Sequence, residues 1–150
     1  MDAISTPART ASSDAARAIL RIALGAVFFA HGWQKFFEYT VAGTQGAFGQ
    51  MGVPAAQLAA PLAAGLELVG GALLIVGLLT RVAGALLAVE MLVALILVHA
   101  PAGMFVEKGG IELVLVLAAG AAAVALVGPG RASLDALLFG RSNGRLAILA

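Results

Sequence analysis

Five residues in this chain stand where an apolar segment has least reason to carry an ionisable group. His31 and Lys35 close one hydrophobic run, in His31-Gly32-Trp33-Gln34-Lys35, and three later runs each carry one glutamate, Glu67, Glu90 and Glu112. Positions four apart lie on the same helix face, so His31 and Lys35 point the same way. Histidine and lysine can donate hydrogen bonds, and a carboxylate can take or give a proton. Grouped in a low-dielectric site, these side chains could bind a polar head group and handle its protons. They could equally lock helices in register through interhelical hydrogen bonds. Lys35 could also simply extend its ammonium to a nearby water interface.

The composition says what must position them. The chain has 150 residues, 61% hydrophobic and 11% charged, with a mean hydropathy of +1.02. Soluble domains are nearer half apolar and a quarter charged. A hydrocarbon layer roughly 30 Å thick takes about 20 apolar residues per helix, which leaves room for four spans and no soluble domain. The net charge of +1 gives no reason to expect nucleic acid as a partner. The absence of cysteine excludes disulfides, thiolate-bound metals and cysteine-held iron–sulfur clusters within the chain.

The fold class expected is all-α, an antiparallel bundle of four transmembrane helices. A polar N-terminus at 1–16, irregular or interfacial, precedes a membrane domain at 17–139, and a tail follows at 140–150. The spans fall at about 18–37, 55–79, 82–100 and 109–127, with short interfacial helices expected at 44–51 and 132–139. Trp33, Phe36, Phe37 and Tyr39 mark the interface after the first span. Phe48 and Met51 are expected to face inward, Pro54 suits the first turn of the next helix, Gly128-Pro129-Gly130 stops the fourth span, and Ser133 caps the last short helix. Arg9, Arg17, Arg21, Arg81, Arg131, Arg141 and Arg145 fall on one side and only Lys35 and Lys108 on the other. That asymmetry predicts both termini in the cytoplasm.

At 100° per residue, Arg21, Gly25, Phe28, His31, Gly32 and Lys35 share a face of the first span. Ala60, Ala63, Ala64, Glu67, Gly70 and Gly71 share one on the second. Glu90 lies with Ala83, Leu86, Leu87 and Ala94, and Glu112 with Val116, Ala119 and Ala123. Small residues mark helix contacts in lipid and charges turn toward the bundle interior, so both signals nominate these faces as inward. Gly25, Gly32, Gly70 and Gly71 are the expected packing positions. The 1.5 Å rise per residue puts His31, Lys35 and Glu112 in the outer half, Glu67 just below and Glu90 deeper. Glu112 is the expected partner of Lys35, and Glu67 the acid nearest His31. Three carboxylates facing one lysine and one histidine cannot all be charged cheaply, so Glu90 is expected to hold a proton. His99 projects opposite Glu90 and reads as a water-exposed or loop-capping residue.

A pocket lined by His31, Lys35, Glu67 and Glu112, with Glu90 below, would suit a quinone head group. His31 and His99 differ in depth by about two turns, which does not suit a bis-histidine haem. No catalytic residue and no metal ligand is nominated, and neither haem nor an iron–sulfur cluster is expected.

Together these residues make a pattern. Arg21 and Gly25 lead to His31-Gly32-x-x-Lys35, then Phe48, Gly52 and Pro54, Glu67-x-x-Gly70-Gly71, Gly77-Leu78-x-Thr80-Arg81, Gly110-x-Glu112 and Gly128-Pro129-Gly130-x-x-Ser133-Leu134-Asp135. Over about residues 17–135 the chain resembles the DoxX family of small four-helix membrane proteins. The resemblance implies a bacterial cytoplasmic (inner) membrane protein linked to redox complexes. Members serve as a small subunit of quinol or thiosulfate–quinone oxidoreductases, or as partners of soluble redox enzymes, and broader relatives look like membrane chaperones. The function expected is an accessory or anchor subunit of an envelope redox complex with a quinone pocket, working beside a protein partner or as a homo-oligomer. The alternatives are a small proton-coupled transporter, with a polar path from Glu112 through Glu67 and Glu90 toward Arg81, and a purely structural or assembly role.

Overall fold

The structure, a computed structural model, describes residues 6–139, with side chains from residue 11. Residues 1–5, the tail at 140–150 with Arg141 and Arg145, and the side chain of Arg9 lie outside the described residues. The described chain is helical throughout, without strands. Its helices are α1 (Thr6–Trp33), α2 (Thr40–Gln50), α3 (Ala56–Val76), α4 (Thr80–Ala94), α5 (Glu112–Val127) and α6 (Leu134–Phe139). Two π-helical turns extend α1 over Gln34–Glu38 and α4 over Leu95–His99.

Three helices are long and apolar enough to cross a membrane, at Ala11–Glu38, Ala56–Val76 and Thr80–Ala102. The apolar α5 has 16 residues, so it rises only about 24 Å. It is shorter than the expected fourth span because the chain at 103–111 folds back on itself, with Ile111 N bonded to Gly103 O and Glu112 N to Met104 O. The protein is an all-α integral membrane protein. The N-terminal segment differs from expectation, since α1 already begins at Thr6. Pro7 is tolerated in a first turn, and the alanine-rich stretch that follows favours helix.

The helices pack as two close pairs, α1 with α3 and α4 with α5. Glycine makes the first pair possible. A Cβ on Gly71 would meet the Phe29 amide nitrogen and lie 2.7 Å from Gly25 O, and one on Gly32 would meet the Leu68 backbone. In the second pair, a Cβ on Gly84 would lie 2.9 Å from Ala121 O. Phe28, Leu74, Leu87 and Val124 fill the space between the pairs.

One end of the bundle is tied shut. Buried Arg21 donates from Nη1 to Leu74 O at 2.8 Å and Ile75 O at 2.6 Å, from Nε to Pro129 O at 3.2 Å, and from Nη2 to Ala132 O. It thereby satisfies carbonyls that the end of α3 leaves open. Asp135, also buried, accepts from Leu79 N at 2.8 Å and Thr80 N at 2.9 Å, capping α4. Leu79 sits at φ 49°, a left-handed conformation unusual for a branched residue, and the aspartate holds it there. Arg81 Nη1 donates to Ala125 O and Leu126 O at the end of α5. Ser133 Oγ accepts from Ala136 N at 3.1 Å as the cap of α6.

The buried faces test the expected ones. On α3, Ala60, Ala64, Glu67, Gly70 and Gly71 are buried, as expected, joined by Leu74. On α1, Arg21, Gly25, Phe28 and Gly32 are buried. On α4, Ala83 and Leu87 point inward but Leu86 is 50% exposed. The expected face of α5 is wrong. Val114, Leu117, Ala118, Ala121 and Val124 are buried, whereas Val116 is 66% exposed. Glu112 was the marker for that face, and it does not point into the bundle.

Candidate functional site

At the end opposite the arginine–aspartate clasp, the two helix pairs enclose a cavity of about 550 Å³. All four long helices line it, through residues such as Phe28, Leu66, Met91 and Leu117, and α2 contributes Phe48 and Met51. Its polar lining consists of His31, Lys35, Glu67, Glu90 and His99. The walls are otherwise apolar, so each polar group acts in a low dielectric where its interactions are strong.

Lys35 Nζ donates to Glu67 Oε2 at 2.5 Å, with side-chain exposures of 18% and 6%. This is a charge-assisted bond across the tightly packed α1–α3 pair, and it corrects the expected pairing of Lys35 with Glu112. The close approach of Gly25, Gly32 and Gly71 brings α3 rather than α5 against the end of α1. Lys35 lies in the first π turn, and its carbonyl accepts from Thr44 Oγ1 at 2.9 Å. The buried Thr44 thus pins α2 beneath the site.

Glu90 is close enough to Glu67 and Lys35 for electrostatic interaction. Its Oε2 is buried and has no hydrogen-bond partner. A buried polar atom left unsatisfied is uncommon and costs about 1–3 kcal/mol. His31, half-buried, lines the same cavity.

Glu112 is not brought to the cavity. Its Oε1 accepts from Val106 N at 2.7 Å and braces the loop before α5. His99, expected to point away from Glu90, lines the cavity while its Nδ1 donates to Gly109 O at 2.7 Å. The second π turn accounts for this, because its wider winding breaks the 100° progression from Glu90. The expected loop-capping role of His99 holds, since it bonds the loop carbonyl of Gly109; its place at the cavity had no signal in the sequence, because nothing in the composition announces a π turn. Among the described residues no cluster of His, Asp and Glu is placed to hold a metal ion. Between Glu90 and Arg81 the buried positions of α4 are Ala83, Gly84, Leu87 and Ala88, all apolar. With Arg81 bonded to α5 carbonyls and Glu112 in the loop, the described residues form no continuous polar path of the kind a proton-coupled carrier needs.

The DoxX family model matches residues 16–100. CatD of Bacillus subtilis (strain 168), named as a candidate oxidoreductase, is 35% identical over 130 residues, covering 86% of this chain and 92% of CatD. The uncharacterised membrane protein Rv3486 of Mycobacterium tuberculosis is 41% identical over 78 residues, which is 52% of this chain and 47% of that protein. An uncharacterised protein of Haemophilus influenzae is 40% identical over 82 residues, or 55% of this chain and 58% of that protein. No solved structure gives a significant match. A family model spanning more than half of the chain, and a relative matched over nearly its whole length, agree with the helical membrane bundle: the chain belongs to the DoxX family.

Proposed function

We propose that this protein is an accessory membrane subunit of an envelope redox complex, and that its cavity holds a quinone head group. One observation carries the reading: an ion pair, a carboxyl with an unpaired oxygen and a histidine converge on a single, otherwise apolar cavity of about 550 Å³. Sites for small ligands commonly have this size and this mixture of apolar walls with a few polar groups. The name of CatD is consistent with redox work.

A bound quinone would supply reversible two-electron, two-proton chemistry. The chain's own residues bind and manage protons. His31 or the Lys35 ammonium donates to a quinone carbonyl oxygen, Glu67 holds the ammonium in place, and Glu90 gives or takes a proton. The apolar walls keep water out. With no cysteine to hold a cluster, electrons come from a protein partner. The arginine asymmetry supports an inner-membrane orientation with both termini cytoplasmic, which puts the cavity in the outer half of the bundle.

The test is gentle purification into phospholipid nanodiscs, solvent extraction and mass spectrometry for quinone. The expected result is bound quinone that is lost in Glu67→Gln and in His31→Ala. A preparation that retains phospholipid but no quinone, and takes up none when it is added, refutes the reading. A purely structural role is favoured by one observation, that Lys35–Glu67 bridges the tightest helix pair. In that case Glu67→Gln lowers stability and Glu90→Gln changes nothing.

A further inference from the structure

We infer that the cavity takes a tailed amphiphile from the bilayer, admitted sideways between α3 and α4, with its head group bonded to Glu90. The inference rests on the proposed pocket but not on the ligand being a quinone.

The first argument concerns where the cavity can open. Between α1 and α3 the backbones touch at Gly25, Gly32 and Gly71, and between α4 and α5 they touch at Gly84. The Arg21–Asp135 clasp closes one end, and α2 lies across the other, contributing Phe48 and Met51 to the wall. Helices α3 and α4 are held together near their connecting turn, where Gly70 packs against Leu87. Farther from that turn the side chains that line the cavity are also accessible from outside. Leu62 is 71% exposed, Val93 49% and Leu97 43%. A side chain that both lines a cavity and shows on the outer surface borders its opening; Met51 (45% exposed) and Leu113 (40%) border it from α2 and α5, and the two most exposed, Leu62 and Val93, lie on α3 and α4.

The second argument concerns what lies outside that opening. Leu62 belongs to the span Ala56–Val76, and Val93 and Leu97 to the span Thr80–Ala102. The medium there is hydrocarbon rather than water. A polar solute would have to leave water to reach it, whereas an amphiphile already dissolved in the leaflet arrives by lateral diffusion.

The third argument concerns the head group. Glu67 is engaged by Lys35 at 2.5 Å. Glu90 Oε2 is the cavity's buried carboxyl oxygen without a partner. A head-group hydroxyl removes that penalty by donating to Glu90, and a head-group carbonyl does so by accepting from Glu90 in its protonated form. The tail then lies along Leu62, Val93 and Leu97, which replace lipid contacts with tail contacts at no loss of apolar burial.

The test uses the full chain in nanodiscs of fixed phospholipid composition, titrated with a decyl-substituted benzoquinone, with the same ring lacking the tail, and with a nitroxide-labelled stearyl alcohol. Glu90→Leu, Leu62→Trp and Leu97→Trp are compared with Leu115→Trp, whose side chain is comparably exposed (41%) but sits on α5 and does not line the cavity. Helicity and melting temperature of each variant establish folding, and Leu62→Ala serves if the tryptophan variant does not fold. The expected result is that the tailed quinone binds and the tail-less ring does not. Affinity should fall about tenfold, the equivalent of one lost buried hydrogen bond, in Glu90→Leu, fall in both portal variants, and stay unchanged in Leu115→Trp. Equal binding of both rings, or tailed-quinone binding indifferent to Leu62→Trp and Leu97→Trp, overturns lateral access while leaving the quinone reading intact. If neither ring binds but the stearyl probe is immobilised and released by Glu90→Leu and Leu62→Trp, the inference stands and the quinone reading falls. If no probe binds, both fall.

Discussion

Replacing Lys35 by methionine should be the most damaging single change at the cavity, and worse than replacing its partner. Glu67 contributes a side chain that is 6% exposed and Lys35 one that is 18% exposed, with the charged atoms 2.5 Å apart. Lys35→Met keeps most of the stem volume but strands a carboxylate among apolar walls. Breaking a buried ion pair from one side costs about 3–5 kcal/mol. Glu67→Leu strands an ammonium instead, but its flexible stem starts from the turn that ends the first span and can carry the charge toward water. The loss there should be about 1–2 kcal/mol. The double variant Lys35→Met/Glu67→Leu removes both charges and should lie within about 1 kcal/mol of the parent, since apolar replacement of a buried pair is often nearly neutral. The two single effects should therefore fail to add by at least about 3 kcal/mol. Unfolding by sodium dodecyl sulfate in mixed micelles measures this, followed by circular dichroism and by the fluorescence of Trp33, the one tryptophan. Equal losses in the two single variants, or a double variant equal to their sum, would refute the asymmetry argued from burial.

Four further outcomes are expected. Within α3, Gly71→Ala should destabilise the bundle by about 1–3 kcal/mol through overpacking against the Phe29 backbone. Gly65→Ala, which meets nothing within 4 Å, should stabilise it by up to about 1 kcal/mol in the same unfolding titration. Asp135→Ala should cost about 2–4 kcal/mol, because it removes two backbone bonds and frees the strained Leu79; adding Leu79→Gly should recover part of the loss. Glu112→Ala should speed amide hydrogen exchange at Val106 yet leave ligand binding in the cavity unchanged, since Glu112 braces the loop.

Several features of this protein follow from residue order alone. Hydropathy and length give the membrane helices, because only helices and closed barrels satisfy backbone polar groups in hydrocarbon and continuous apolar runs of about 20 residues suit a helix. The coincidence of glycine with ionisable residues gave the buried faces of α1 and α3 correctly, since small residues and charges are both driven to helix contacts. The DoxX pattern was legible for the same reason: Gly25, Gly32 and Gly71 sit where backbones touch. Tertiary structure decided the rest. On α5, almost uniformly apolar, Glu112 was the one available phase marker, and a first-turn glutamate can reach back to a loop amide instead of inward. The choice of Glu67 over Glu112 as the partner of Lys35 depends on which helix α1 packs against, a property of the assembled bundle. His99 reaches the cavity through a π turn that no periodicity announces. Arg21 could be placed on the inner face from its spacing, but its partners are backbone carbonyls at the ends of other segments, and these carry no sequence signature. Periodicity sets which way a side chain leaves its own helix; what it meets there is set by neighbours distant in the chain.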